Sequence, residues 1–222
     1  PASSSARPGT LGRDMRDTLL APGPLTLALC FSTYALNYLA MVGFLPTILV
    51  HDLRLDSGTA AYLTAFAVLA NAGGNVLGGV LMQHGTPRWK LIIASHVIMG
   101  TTSIGIFWPG MPAIVLYPLV LLFMTGGILP ASVFSGAARH APAPHLMATT
   151  NGVIVQGAAV GQFIGPPAVA AIASAAGGWQ LSPLVLAGGA AFGIALALYL
   201  RVLETRPPGR PAVPRPQSME SR

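Results

Sequence analysis

Charge is what this sequence lacks most: only 8% of its 222 residues are Asp, Glu, Lys or Arg, about a third of the share in an ordinary soluble domain. Its twelve cations and six anions leave four windows empty, Leu25 to Val50, Ser57 to Pro87, Leu91 to Ala138 and Ala141 to Leu200. Gaps of that length exclude a water-soluble globular protein and read as membrane spans. Cysteine is nearly missing too. Cys30 stands alone inside the first apolar stretch, which excludes a disulfide framework or a Cys/His metal site within one chain. It reads as a small buried apolar residue. The net charge of +6 does not point to nucleic acid, because the basic residues sit at the chain ends and in short loops, without an interleaved aromatic patch. No nucleophile stands beside a base and no carboxylate pair lies in an apolar window. Ser132 and Ser135, one turn apart, have no basic neighbour in their stretch, so neither an enzyme nor a metal or cofactor is expected.

What is present in quantity is apolar sequence, 53% of the chain, punctuated by 26 glycines and 20 prolines. A helix rising 1.5 Å per residue needs about 20 apolar residues to cross a bilayer core. The turn-forming cluster Trp108-Pro109-Gly110-Met111-Pro112 divides the third window, and Gly177-Gly178-Trp179-Gln180-Leu181-Ser182-Pro183 divides the fourth. Six spans result, over about 25–50, 60–82, 91–107, 113–137, 148–175 and 184–200. The fold class expected is all-α and polytopic, a half-domain over 25–204 between a basic segment, 1–24, and a Pro/Arg-rich tail, 205–222. That tail carries too little apolar surface to fold and is expected to be disordered.

Eleven of the twelve cations lie on one side of this layout: Arg7, Arg13 and Arg16 before the first span, Arg88 and Lys90 after the second, Arg139 after the fourth, and Arg201, Arg206, Arg210, Arg215 and Arg222 at the end. Arg54 is alone on the other side. The positive-inside rule therefore predicts that both ends are cytoplasmic. All cations but Lys90 are Arg, and Ala, Gly and Pro are abundant, a bias that suggests a GC-rich genome and a bacterial inner membrane. The chain begins at Pro1 without an early apolar leader, and is expected to be an internal piece of a longer protein.

No Asp, Glu, Lys or Arg lies within a span, so the polar inventory there is uncharged. Tyr34, Asn37, Tyr38 and Met41 share one face of the first span, which could line a solute path or pack against a neighbouring helix. Gly43 and Pro46 then loosen that helix and predict a bend. In the second span Asn71 and Asn75 lie one turn apart beside the small-residue stripe Ala70, Gly74 and Gly78; the amides could bind solute or bond to a partner helix. The fifth span repeats Gly157, Gly161 and Gly165 at every fourth position and then meets Pro166-Pro167, where an interruption is expected; Asn151 and Gln162 fall on one face and Gln156 on another. Thr125-Gly126-Gly127 marks a similar break in the fourth span. His96 reads as a neutral packed or interfacial residue, and the sixth span, polar only at Tyr199, suits the lipid-facing outside.

Three features resemble the carboxy-terminal half, spans seven to twelve, of a major facilitator superfamily transporter. The segment Gly79-Val80-Leu81-Met82-Gln83-His84-Gly85-Thr86-Pro87-Arg88 is similar to the family's Gly-x-Leu-x-Asp-Arg-x-Gly-Arg-Arg cytoplasmic loop at Gly79, Leu81 and Arg88, with Gln83 where the family has Asp. Gly161-Gln162-Phe163-Ile164-Gly165-Pro166 looks like its Gly-x-x-x-Gly-Pro core, and the six-span layout with basic ends is the third feature. The resemblance implies that spans one and four line a central cavity, spans two and five flank it, and spans three and six lie outside. It makes Tyr34, Asn37, Tyr38 and Thr125 the leading cavity candidates, followed by Asn71, Asn75, Gln156 and Gln162, with Gly43, Pro46, Gly157, Gly161, Gly165, Pro166 and Pro167 in packing and gating. The expected activity is secondary transport of a small solute by alternating access within a lipid bilayer, the partner being a missing amino-terminal six-helix half. A homodimer of two such chains and a non-transporting scaffold or sensor remain as alternatives.

Overall fold

The computed structural model describes residues 11–205. Among them lie eight α-helices in the order α1 (Leu11–Leu20), α2 (Pro22–His51), α3 (Ser57–Gln83), α4 (Arg88–Ile106), α5 (Ala113–Met124), α6 (Ile128–His140), α7 (Met147–Ala176) and α8 (Ser182–Thr205). Short 3-10 turns at Thr125–Gly127, Pro144–Leu146 and Trp179–Leu181 join or extend them, and no described residue is in a strand. Because the turn at Thr125–Gly127 links α5 to α6 as one crossing, six helical segments are long and apolar enough to span a membrane: 22–51, 57–83, 88–106, 113–140, 144–176 and 179–205. The basic segment expected as a connecting loop holds α1 and the first turn of α2 instead. The disorder expected from residue 205 onward lies outside the described residues, except that Thr205 closes α8.

The ends of the helices follow from local chemistry. Asp56 caps α3 by accepting the Thr59 backbone N–H at 3.0 Å. The hydrogen bonds from Thr59 hold its carboxyl below the ordinary 3.8. The α7 helix stops at Gly177, which takes the left-handed conformation (φ 67°) while the Gly178 N–H returns to the Ala173 carbonyl at 2.9 Å. At the opposite end of the bundle Gly85 (φ 81°) turns the chain from α3 into α4.

Helix α2 is the hub, in contact with α3, α6, α7 and α8, while α4 packs between α8 and the α5–α6 crossing. Leu27, Met41, Leu45, Ile48 and Leu49 of α2 are fully buried. In lipid, apolar side chains gain little by leaving the solvent, so close backbone approach decides which helices pair. Gly157, Gly161 and Gly165 supply that approach between α7 and α2: a Cβ at Gly161 would lie 1.9 Å from the Ser32 carbonyl oxygen, and one at Gly165 would lie 2.4 Å from that of Leu36. Gly74 and Gly78 do the same for α3, where added Cβ atoms would meet the Thr125 and Ile128 carbonyls at 2.8 and 2.4 Å.

One expected interruption is corrected. Helix α7 runs through Pro166 and Pro167 without a break. Each proline removes one backbone bond, yet Gly165 just before them is held against the Leu36 carbonyl of α2, and the helix continues. Helix α2 is likewise continuous through Pro46. The other break is present as the 3-10 turn Thr125–Gly127, but it is tightly packed: a Cβ on Gly127 would lie 2.2 Å from the Asn71 carbonyl, and one on Gly126 2.6 Å from Met99. Helix α8 is not lipid-facing all round, since Leu186, Ala190, Gly193, Ala197 and Leu200 are buried against the bundle.

Candidate functional site

The polar face of α2 divides when its surroundings are seen. Tyr34 is buried, and its hydroxyl oxygen accepts from Asn71 Nδ2 at 2.8 Å while lying 3.2 Å from Asn71 Oδ1. Asn71 Nδ2 also donates to the Met124 carbonyl at 3.0 Å, which ties α2, α3 and the end of α5 together. Gly127 brings that carbonyl within reach, since a Cβ there would meet the Asn71 carbonyl and amide and hold α3 away. Tyr38 is half-buried and its ring stacks on that of Tyr34, with centroids 5.9 Å apart and planes at 8°. Thr125 turns its hydroxyl back to the Leu122 carbonyl at 2.6 Å.

Asn37 lies within the packing of the bundle. It is fully buried, its Nδ2 donates to the Thr33 carbonyl of its own helix at 2.9 Å, and Gly189 of α8 lies directly beside it. Its Oδ1 has no partner among the described residues. Thr33 also meets His96, whose Nε2 lies 2.8 Å from the Thr33 hydroxyl and whose Nδ1 lies 2.9 Å from the Ile92 carbonyl. A carbonyl only accepts, so Nδ1 carries the proton in that contact. His96 is fully buried and Gly193 makes room for its ring. Nothing in the spacing of the sequence revealed this α2–α4–α8 cluster, although the glycine pair at 189 and 193, one turn apart, was a signal of close approach.

The remaining amides occupy a different environment. Asn75 and Asn151 are half-buried, and Gln156 and Gln162 are exposed. Gln156 lines an open groove of about 540 Å³ between α1 and α7, together with Met15, Leu19 and Val153. Helices α3 and α7 leave most of their surface uncovered, more than α2, α4 or the α5–α6 crossing does. The amides thus divide into those on the uncovered faces of α3 and α7 and those buried in the bundle, of which Asn71 bonds across helices and Asn37 within its own.

At the end of the bundle that carries α1 and the close of α8, the loop residues singled out from the sequence separate as well. Gly79 and Leu81 are half-buried near the end of α3, and Gly79 has no neighbour within 4 Å of an added Cβ. Arg88 opens α4 and pairs with Glu204, while its second nitrogen reaches the Ser135 carbonyl at 3.4 Å. Glu204 accepts from His140 Nε2 at 3.2 Å, and its backbone carbonyl accepts from Arg139 at 3.0 Å. One carboxylate thus joins α4, α6 and α8. Sequence reasoning missed Glu204, though it was the one acid beside the basic end of the sixth span.

No curated protein matches the chain. The family model described as Major Facilitator Superfamily matches residues 27–220, a match that takes in all six crossings and most of the chain. Together with six apolar helices in a glycine-stitched bundle whose charged residues lie only near the helix ends, it shows that the chain is an integral membrane protein belonging to the Major Facilitator Superfamily of transporters.

Proposed function

We propose that the chain is the carboxy-terminal six-helix half of a secondary transporter that moves a small solute by alternating access, with both ends cytoplasmic in a bacterial inner membrane. The observation that carries this reading is the contrast between the two kinds of amide. Asn71 is bonded inside the bundle, whereas Asn75, Gln156 and Gln162 stand on the least covered helices. Bare amides facing lipid are costly, because hydrocarbon offers no partner. A second six-helix body covering α3 and α7 removes that cost and leaves a polar path between the halves, around which they rock. Tyr38, Asn75, Gln156 and Gln162 are the residues proposed to meet the solute, with the Tyr34–Asn71 bond fixing the wall behind Tyr38.

Cysteine labelling tests this in the full-length protein with Cys30 replaced by Ala. Cysteines at Asn75 and Gln162 should react with a membrane-impermeant maleimide, while one at Phe192, which is 55% exposed on α8, should not. A thermal screen of sugars, amino acids and organic acids should find a solute that raises the melting temperature of the wild type but not of Gln162→Leu. Equal protection at all three positions, with no solute-dependent shift, overturns the reading. An antibody to residues 205–222 should detect a native product near twice 22.8 kDa; a band at 22.8 kDa overturns the assignment as one half.

A further inference from the structure

At the end of the bundle opposite Arg88, the ends of α2 and α4 and the turn before α8 enclose an open cleft of about 420 Å³. That size falls within the range of small-molecule sites. Asp52, Phe107, Trp108, Trp179 and Gln180 supply its chemistry, and among the described residues Asp52 is the only charged one that lines it. We propose that this cleft binds a small organic ammonium group, a primary or quaternary amine with a short apolar body, at a site separate from the polar faces of α3 and α7.

Three observations converge on a cation. The first is the direction of two helices: α2 ends at His51 and α4 at Ile106, so both bring carbonyl ends, the negative poles of their dipoles, to the cleft, opposite the starts of α5 and α8, and the Asp52 charge sets the balance. The second is Asp52, the C-cap of α2, whose backbone N–H bonds to the Ile48 carbonyl at 2.9 Å. A carboxylate at a helix C-terminus opposes the dipole, and neither ion pair among the described residues involves Asp52. A cation in the cleft offsets both. The third is aromatic: Trp179 lies 5.0 Å from the Phe44 ring and 6.4 Å from that of Phe107, and Trp108, 62% exposed, also lines the cleft. Aromatic faces attract ammonium groups, and a quaternary one most readily because it is weakly hydrated. An aromatic belt alone would place such rings outward towards lipid headgroups. Trp179 instead packs inward against Phe44 and Phe107, which makes it a wall of the cleft.

Two sources offer this chemistry, a free amine in solution or the headgroup of an amine-bearing phospholipid. The test uses the full-length protein in nanodiscs of phosphatidylglycerol, with tryptophan fluorescence as the readout. Trp89, the third tryptophan, lies at the other end beneath the Arg201 guanidinium at 4.8 Å and should be insensitive to an added cation. Choline should change the emission saturably, with its neutral isostere 3,3-dimethyl-1-butanol weaker by about tenfold. Asp52→Asn should weaken choline by a similar factor without lowering the melting temperature, since Asp52 is exposed and its charge opposes the α2 dipole. If choline is silent but nanodiscs containing phosphatidylcholine or phosphatidylethanolamine shift the emission in an Asp52-dependent way, the cleft takes a lipid headgroup. Equal responses to choline and its isostere, or Asp52→Asn behaving as wild type in both lipid compositions, overturn the proposal. Neither result bears on the labelling of α3 and α7, so the transport reading stands or falls separately.

Discussion

Gly161 shows how much one hydrogen atom can decide. An alanine there would put its methyl carbon 1.9 Å from the Ser32 carbonyl oxygen, a backbone atom that cannot swing aside. Gly161→Ala should therefore separate α7 from α2 and lower stability by about 1 to 3 kcal/mol or more, as overpacked cores do. Gly152→Ala, in the same helix but with nothing within 4 Å, should be neutral or stabilising by up to about 1 kcal/mol. Thermal unfolding in detergent separates the two, and similar losses in both would mean that helix flexibility rather than contact is at stake. The glycine stripe was legible because a period of four on an apolar helix has few other uses. The fate of Asn37 was not. It shares a face with Tyr34 and Tyr38, but helical periodicity cannot say whether α8 or an open space stands opposite, and Gly189 places α8 there.

Among the elements, α3 depends on its first turn more visibly than the others. Asp56 is its only side-chain cap, and the Thr59 bonds stabilise the ionised carboxylate, lowering its pKa from 3.8. A group whose pKa is lowered on folding contributes stability that is present above the unfolded value and lost as pH falls through the folded one. Asp56→Ala should thus lower the melting temperature at pH 7, with the gap from wild type closing below about pH 3.8. A gap independent of pH would show that the neutral acid caps equally well. The six crossings were readable from empty charge windows and turn clusters, because lipid permits few other structures. The continuity of α7 through Pro166 and Pro167 was not, since local rules price a proline without knowing that α2 holds Gly165 just before it.

For the whole molecule, the bond between Arg88 and Glu204 joins positions 116 residues apart and gathers α4, α6 and α8 at one end. Both side chains are largely covered, at 12% and 11% exposure. A double-mutant cycle with Arg88→Gln and Glu204→Gln should return a coupling of about 0.5 to 3 kcal/mol, and strict additivity would reduce the pair to a surface contact. The same bond sets a timetable. At about 5 to 20 residues per second, synthesis leaves Arg88 without its partner for about 6 to 23 s across that interval of 116 residues. Helices α5 to α8 must emerge first, so this end of the bundle is the last part to close as the chain is made.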